Sequence, residues 1–348
     1  MHVKVLLGIF LVATSTHAAA KEVIKVHSWA NYFDSSVLKD FERDSGIKVE
    51  HTTYASSAQL DADLDSGKRY DVIVPTDMQV DFLIKENQLV PLEFRELPNR
   101  SRISKELLLR QNARTNTDLY ATPYTWGTVG LLINERAASE ALQTPTPNSW
   151  SLLFDPAKFD RLKGCGVMVQ DEPIQILSLY LTYKGRSLRS SNVQSIEKAI
   201  GEIRRLGLTK PPQPGTSIAS RLTEGTICAA MTWSGQVSKA DLDDGLRYVI
   251  PEEGSLLFIH SLAIPASSSN ASGAHRFINY LLQPEIATRN SKRNHFIPST
   301  SQRPLDNQQL AAERITPTQH ERRRLYMSEE LSTEKRHAIK AAWTDSHP

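Results

Sequence analysis

The first hundred residues alternate strand and helix, and that order leaves a chain few ways to fold. An apolar strand at Val23-Ile24-Lys25-Val26 precedes a helix opened by Ser35 or Ser36, with Val37, Leu38 and Phe41 on one face and an end near Gly46. Lys48 to Tyr54 reads as a second strand, a helix carrying Leu60 and Leu64 stops at Gly67, and Asp71 to Val74 is a third strand broken by Pro75. A β-α-β-α-β order implies right-handed crossovers and a parallel sheet. Strand ends here carry aromatic and small polar residues: Trp29-Ala30-Asn31-Tyr32, Thr76-Asp77, Trp233-Ser234-Gly235-Gln236 and Phe258-Ile259-His260. In open α/β sheets, ligands bind beyond the carboxyl ends of strands. These edges therefore read as the lining of a small-molecule cleft.

The chain has 348 residues, enough for two domains with separate cores. Tyr120 to Asn134 is aromatic, then glycine-containing, then apolar. It reads as a strand crossing between two lobes, the alternative being a strand within one sheet. A second α/β run extends from Trp150 to about Pro251, with helices near Ile174 to Tyr183 and Val193 to Leu206 and a turn at Pro211-Pro212-Gln213-Pro214-Gly215. The chain then returns to the first lobe through Ser255 to Pro265 and a helix at Ala274 to Leu282. The tail from Ala311 onward reads as helical and charged, with Arg322-Arg323-Arg324 on a solvated helix face.

The 41 basic and 39 acidic residues give a net charge of +2, which offers no support for a nucleic-acid partner. Met1 to Ala20 has the form of an export signal: Lys4, an apolar Val5 to Ala13, and a small-residue site at Ala18-Ala19-Ala20. That apolar stretch falls short of the ~20 residues a membrane span needs. Export permits a disulfide between the two cysteines, Cys165 and Cys228, each beside an expected strand. On the chain-entropy view such a bridge contributes about 4 kcal/mol. Two separate buried thiols are the alternative.

Catalytic signatures do not accompany the cleft. The sequence has no G-x-S-x-G, H-E-x-x-H, Walker or G-x-G-x-x-G pattern, and its ten histidines show no metal-ligand spacing. Asp171-Glu172 could form a carboxylate pair, but acids before Pro173 also suit a helix N-terminus. Neither a catalytic residue, a metal site nor a cofactor is expected. A binding protein fits better than an enzyme.

Several motifs together resemble the periplasmic polyamine-binding proteins of ABC transporters, the putrescine and spermidine receptors. They are Trp29-x-x-Tyr32, Phe41-Glu42-x-x-x-Gly46-Ile47-Lys48-Val49, Tyr70-Asp71-Val72-Ile73-Val74-Pro75, Tyr120-Ala121-x-Pro123-Tyr124-x-Trp126-Gly127-Thr128, Trp233-x-Gly235 and Ser261-Leu262-Ala263-Ile264-Pro265. The resemblance runs from about Ile24 to Trp343 and implies an α/β, two-lobed type II solute-binding fold whose hinged lobes close around a ligand cleft. Its expected parts are a signal peptide at 1–20, lobe 1 at 21–130 plus 255–303, and lobe 2 at 131–254 plus 304–348. The family also implies a periplasmic monomer that hands its solute to an inner-membrane ABC permease. A receptor reporting to a membrane signalling protein is the alternative role. Cys165 and Cys228 stand where the putrescine-type branch carries a disulfide.

In this family aromatic faces sandwich the ligand's methylene chain and acids hold its ammonium ends. Trp29, Tyr32, Trp233 and Phe258 match the aromatic positions. The acids match less well: His260, Asn31 and Gln236 stand where the family has acids, and Gln175 replaces a usual Glu. Glu172 matches an acid of the spermidine-type branch, and Asp77 is an additional carboxylate. Losing one partner of a buried charge pair costs roughly 2–5 kcal/mol, so these replacements point away from simple putrescine. The expected ligand-binding set is Trp29, Ala30, Asn31, Tyr32, Asp77, Glu172, Gln175, Trp233, Gln236, Phe258 and His260.

Overall fold

A computed structural model describes residues 22–113, 117–208, 217–300 and 316–344. The export signal, the Pro211–Gly215 turn and the start of the tail at Ala311 lie outside these residues. Strand β1 (Val23–Trp29) pairs in parallel with β2 (Lys48–Tyr54) and with β3 (Val72–Ile73). Helix α1 (Ser35–Ser45) connects the first two strands. Asp34 caps it by accepting from the Ser36 N–H, and Val37 and Phe41 turn into the core. Helix α2 (Ser57–Asp65) buries Leu60. Helix α3 (Asp77–Lys85) opens on a capping box in which Thr76 and Gln79 satisfy each other's backbone donors.

The long strand β4 (Ala121–Asn134) joins two groups of strands. Residues 121–128 pair antiparallel with β8 (Ser255–Ala263), beside β3, and residues 129–133 pair antiparallel with β6 (Ala229–Trp233). The order across the sheet is β2-β1-β3-β8-β4-β6, ending on β5 (Val167–Met168). Short strands β7 (Leu246–Val249) and β9 (Ile297–Pro298) pair with β4. Because β4 takes part in both groups, its residues are almost wholly buried from Ala121 to Ile133. This segment thus pairs with both groups of strands within one continuous sheet.

Buried polar groups pin the frame. The Asp71 carboxylate is 2% exposed and accepts from the N–H groups of Lys25, Ser269 and Asn270. It thereby ties β1 to the loop that opens the helix Ala271–Leu281. Cys165 and Cys228 form the expected disulfide, with Cα atoms 5.4 Å apart. The parallel β5–β6 register makes this possible, as Cys228 N–H donates to Gly166 O at 2.9 Å beside the Val167–Ala229 pair.

Two expectations for the tail need correction. It is not helical throughout: β10 (Leu325–Met327) pairs in parallel with Ser255–Leu257 of β8 and buries Leu325, and the helix Thr333–Thr344 follows. The arginine run is only in part a solvated helix face: Arg322 ends the short helix Gln319–Arg322 and Arg323 is exposed, but two guanidinium groups are engaged. Arg322 lies over the Trp126 ring at 5.5 Å, and Arg324 donates to Ile250 O at 2.5 Å. Arg323 and Arg324 form the turn into β10, and the guanidinium groups of Arg322 and Arg324 cover an aromatic face and a carbonyl.

Candidate functional site

Two partly exposed indoles meet where β1 and β6 end. The rings of Trp29 and Trp233 are 6.5 Å apart, edge to face, although they come from strands on opposite sides of β4. Each indole is fixed by its own side of the molecule. Trp29 Nε1 donates to Val74 O at 3.1 Å, and Trp233 Nε1 donates to Gln175 Oε1 at 2.9 Å. Anchoring the N–H leaves the ring faces as the variable surface, suited to methylene groups and cations.

Next to Trp29 stands His260, 7% exposed and stacked on the indole with centroids 5.2 Å apart and planes 12° from parallel. Phe258 and Phe296 pack against the same imidazole at 5.1 and 5.4 Å. The Tyr32 hydroxyl lies 3.1 Å from His260 Nδ1 and also contacts the Thr125 hydroxyl. Burial lowers the imidazole pKa to about 3, so the ring is neutral at physiological pH.

The Trp233 side is acidic. Glu172 occupies the N-cap of the helix Pro173–Tyr183 but makes no capping hydrogen bond with its side chain. Burial, then the charges of Asp171 and Asp61, push its carboxyl up to about 8. Asp61 projects from α2 and accepts from Gln79 Nε2 at 2.8 Å; Gln79 also donates to Ser57 O at 2.9 Å. Burial raises the Asp61 pKa, against the Gln79 hydrogen bond and the positive charges of Arg336 and Lys340. Carboxylates from α2 and from the Pro173–Tyr183 helix thus share one field. Such a pair is costly alone and favourable around a cation.

The expected site residues divide by position. Trp29, Trp233, Gln175 and His260 form a continuous set through the contacts above, and Glu172 opens the helix that carries Gln175. Tyr32 and Phe258 are 1% and 4% exposed and back His260. Asn31 is exposed, takes a left-handed φ of 58° that Asn tolerates well, and accepts from Arg293 through its side chain. Ala30 is exposed, and its N–H donates to Tyr54 O. Asp77 is buried in the first turn of α3. Gln236 accepts from Thr232 at 2.9 Å and also from Gln170.

Sequence reading missed Asp61, Gln79, Thr125 and Phe296. The Thr76-x-x-Gln79 spacing signals a capping box and could have exposed Gln79. Nothing local marks Asp61 or Phe296. Phe296 fits only because Gly127 and Gly235 lack side chains: a Cβ at Gly235 would lie 2.1 Å from its nearest ring carbon, and one at Gly127 would lie 3.1 Å from it.

Comparisons with known proteins agree with this architecture. The sequence matches the family described as bacterial extracellular solute-binding protein over residues 36–316. It is 30% identical to a putrescine-binding periplasmic protein of Pseudomonas aeruginosa, covering 96% of this chain and 94% of that one. It is 28% identical to the spermidine/putrescine-binding periplasmic protein of Escherichia coli, over 79% of this chain and 76% of that one. A Listeria monocytogenes structure described as a spermidine/putrescine ABC transporter superposes with a TM-score of 0.80 at 25% identity, covering 93% of this chain and 98% of that one. These relatives are substrate-binding parts of transporters rather than enzymes. With its two groups of strands joined through β4 and its paired indoles, the chain belongs to the bacterial extracellular solute-binding protein family, with the two-lobed type II fold.

Proposed function

We propose that this protein is the periplasmic receptor of an ABC importer and that its cargo is a small amine of the polyamine kind. The carrying observation is the pairing of Trp29 with Trp233, whose indole N–H is held by Gln175 on the helix that Glu172 opens. Aromatic faces attract a cation and cover its methylene chain, while carboxylates replace the hydration of an ammonium group. The putrescine-binding and spermidine/putrescine-binding relatives support the same ligand class. In this reading the receptor works as a monomer without nucleic acid and delivers its cargo to an inner-membrane permease. The lobes are 21–130 with 255–303 and 131–254 with 304–348, the first segment following a cleaved signal at 1–20.

Equilibrium titration of the purified mature protein, followed by tryptophan fluorescence, tests this. Putrescine, spermidine and N-acetylputrescine are the probes. At least one binds, and Trp233→Ala weakens it by about tenfold or more, as expected for removing one cation–π wall. Unchanged affinity in that variant contradicts the proposed site.

A further inference from the structure

The hydroxyl relay behind His260 decides which face the imidazole shows the cleft. Thr125 is 1% exposed, and among the described residues its hydroxyl has a single hydrogen-bond partner, the Tyr32 hydroxyl. Tyr32, also 1% exposed, reaches Thr125 and His260 Nδ1. Two proton arrangements fit these contacts. In one, Nδ1–H donates to Tyr32 and Tyr32 donates to Thr125. The Thr125 proton then has no acceptor, which costs about 1–3 kcal/mol for a buried donor. In the other, Thr125 donates to Tyr32, Tyr32 donates to Nδ1, and the remaining imidazole proton sits on Nε2. Only the second arrangement satisfies every buried hydroxyl.

Among the described residues Nε2 has no hydrogen-bond partner, and it is not one of the side-chain atoms sealed from solvent. It belongs to a ring more than nine-tenths buried, stacked on Trp29 at the cleft. The surrounding groups are Trp29, Tyr32, Thr125, Phe258 and Phe296, none of them charged. An N–H donor set in such a ring repels an ammonium group and welcomes an oxygen acceptor. The acids lie on the Trp233 side: Glu172 opens the helix whose Gln175 accepts from Trp233, and the Asp61 charge acts on it.

We infer that the cleft is chemically two-ended: His260 donates through Nε2 to an oxygen acceptor on the ligand, while Glu172 and Asp61 hold its single ammonium group. The cargo is then a short primary amine ending in an amide carbonyl or a carboxylate, not a symmetric diamine. This rests on the amine reading above and narrows it.

Calorimetric titration of the mature protein with putrescine, N-acetylputrescine and 4-aminobutyrate tests the inference. At least one oxygen-ended amine binds more tightly than putrescine by about tenfold or more, the discrimination expected when a buried polar group is left unmatched. The two oxygen-ended probes separate a neutral acceptor from an anionic one. His260→Asp shifts that preference toward putrescine by about tenfold or more, since a carboxylate accepts where the imidazole donates. Nitrogen-15 spectra of the unaltered protein show the His260 proton on Nε2, a readout independent of the variant's folding. Putrescine binding as tight as the tighter of the two oxygen-ended amines, or a proton on Nδ1, overturns the inference while leaving an amine receptor standing. Failure of all three amines and of spermidine to bind removes both readings.

Discussion

Single residues set the shape of the cleft through space they leave empty and protons they place. Gly235 is the clearest case. Its backbone passes so close to Phe296 that any Cβ would clash with the ring, while Phe296 supports Phe258 and His260. Gly235→Ala should therefore destabilise the fold by about 1–3 kcal/mol, the usual cost of overpacking. Urea unfolding followed by circular dichroism reads this as a lower midpoint, and an unchanged midpoint would show that Phe296 yields freely. Glu172 and His260 carry opposite pH consequences for the unliganded protein. Glu172 holds its proton more tightly in the fold than the ordinary glutamate does, so its stabilisation is complete below about pH 4.5 and fades as pH rises through about 8. His260 holds its proton less tightly, so its contribution is complete above about pH 6.5 and fades as pH falls toward 3.

Elements were legible where their signals are local. The first two strands follow from alternation and from punctuation at Gly46 and Gly67, and the structure places them at Val23–Trp29 and Lys48–Tyr54. The three-residue β10 was not legible, because β8 defines it as a strand and that partner lies about seventy residues earlier in the chain. Helix α3 was hidden for another reason: Thr76-Asp77 looked like a ligand edge, whereas Thr76 caps the helix with Gln79. For the candidate site, strand-end residues named Trp29, Trp233 and His260, which the fold brings together. Asp61 stayed invisible because only tertiary folding brings α2 into the field of Glu172. The disulfide was readable from two cysteines beside adjacent strands. Its loop spans a separation of 63 residues. Replacing both cysteines by serine should cost about 4 kcal/mol. Denaturant unfolding measures that loss, and a loss below about 1 kcal/mol would mean that the chain-entropy account fails here.

At the scale of the whole molecule, contacts between distant parts of the chain frame the cleft. The tail reaches α3 through the Lys85–Glu330 ion pair at 2.5 Å and through Arg336 over Phe82 at 5.2 Å. The helix Thr333–Thr344 also packs against the helix Val193–Leu206, which links the tail to both groups of strands. Exposed pairs such as Lys85–Glu330 add little energy individually, so under the proposed function a ligand bridging the indoles and acids is the stronger reason for closure. An ammonium entering this cleft must ionise Glu172, which is protonated in the empty protein near neutral pH. Calorimetry of the tightest-binding amine, repeated from pH 6 to pH 9 in buffers of different ionisation enthalpy, tests that claim directly. Close to one proton should be released at pH 7, with affinity rising up to about tenfold per pH unit and levelling above about pH 8. Binding with no proton release and no pH dependence across that range would contradict an ammonium held at Glu172.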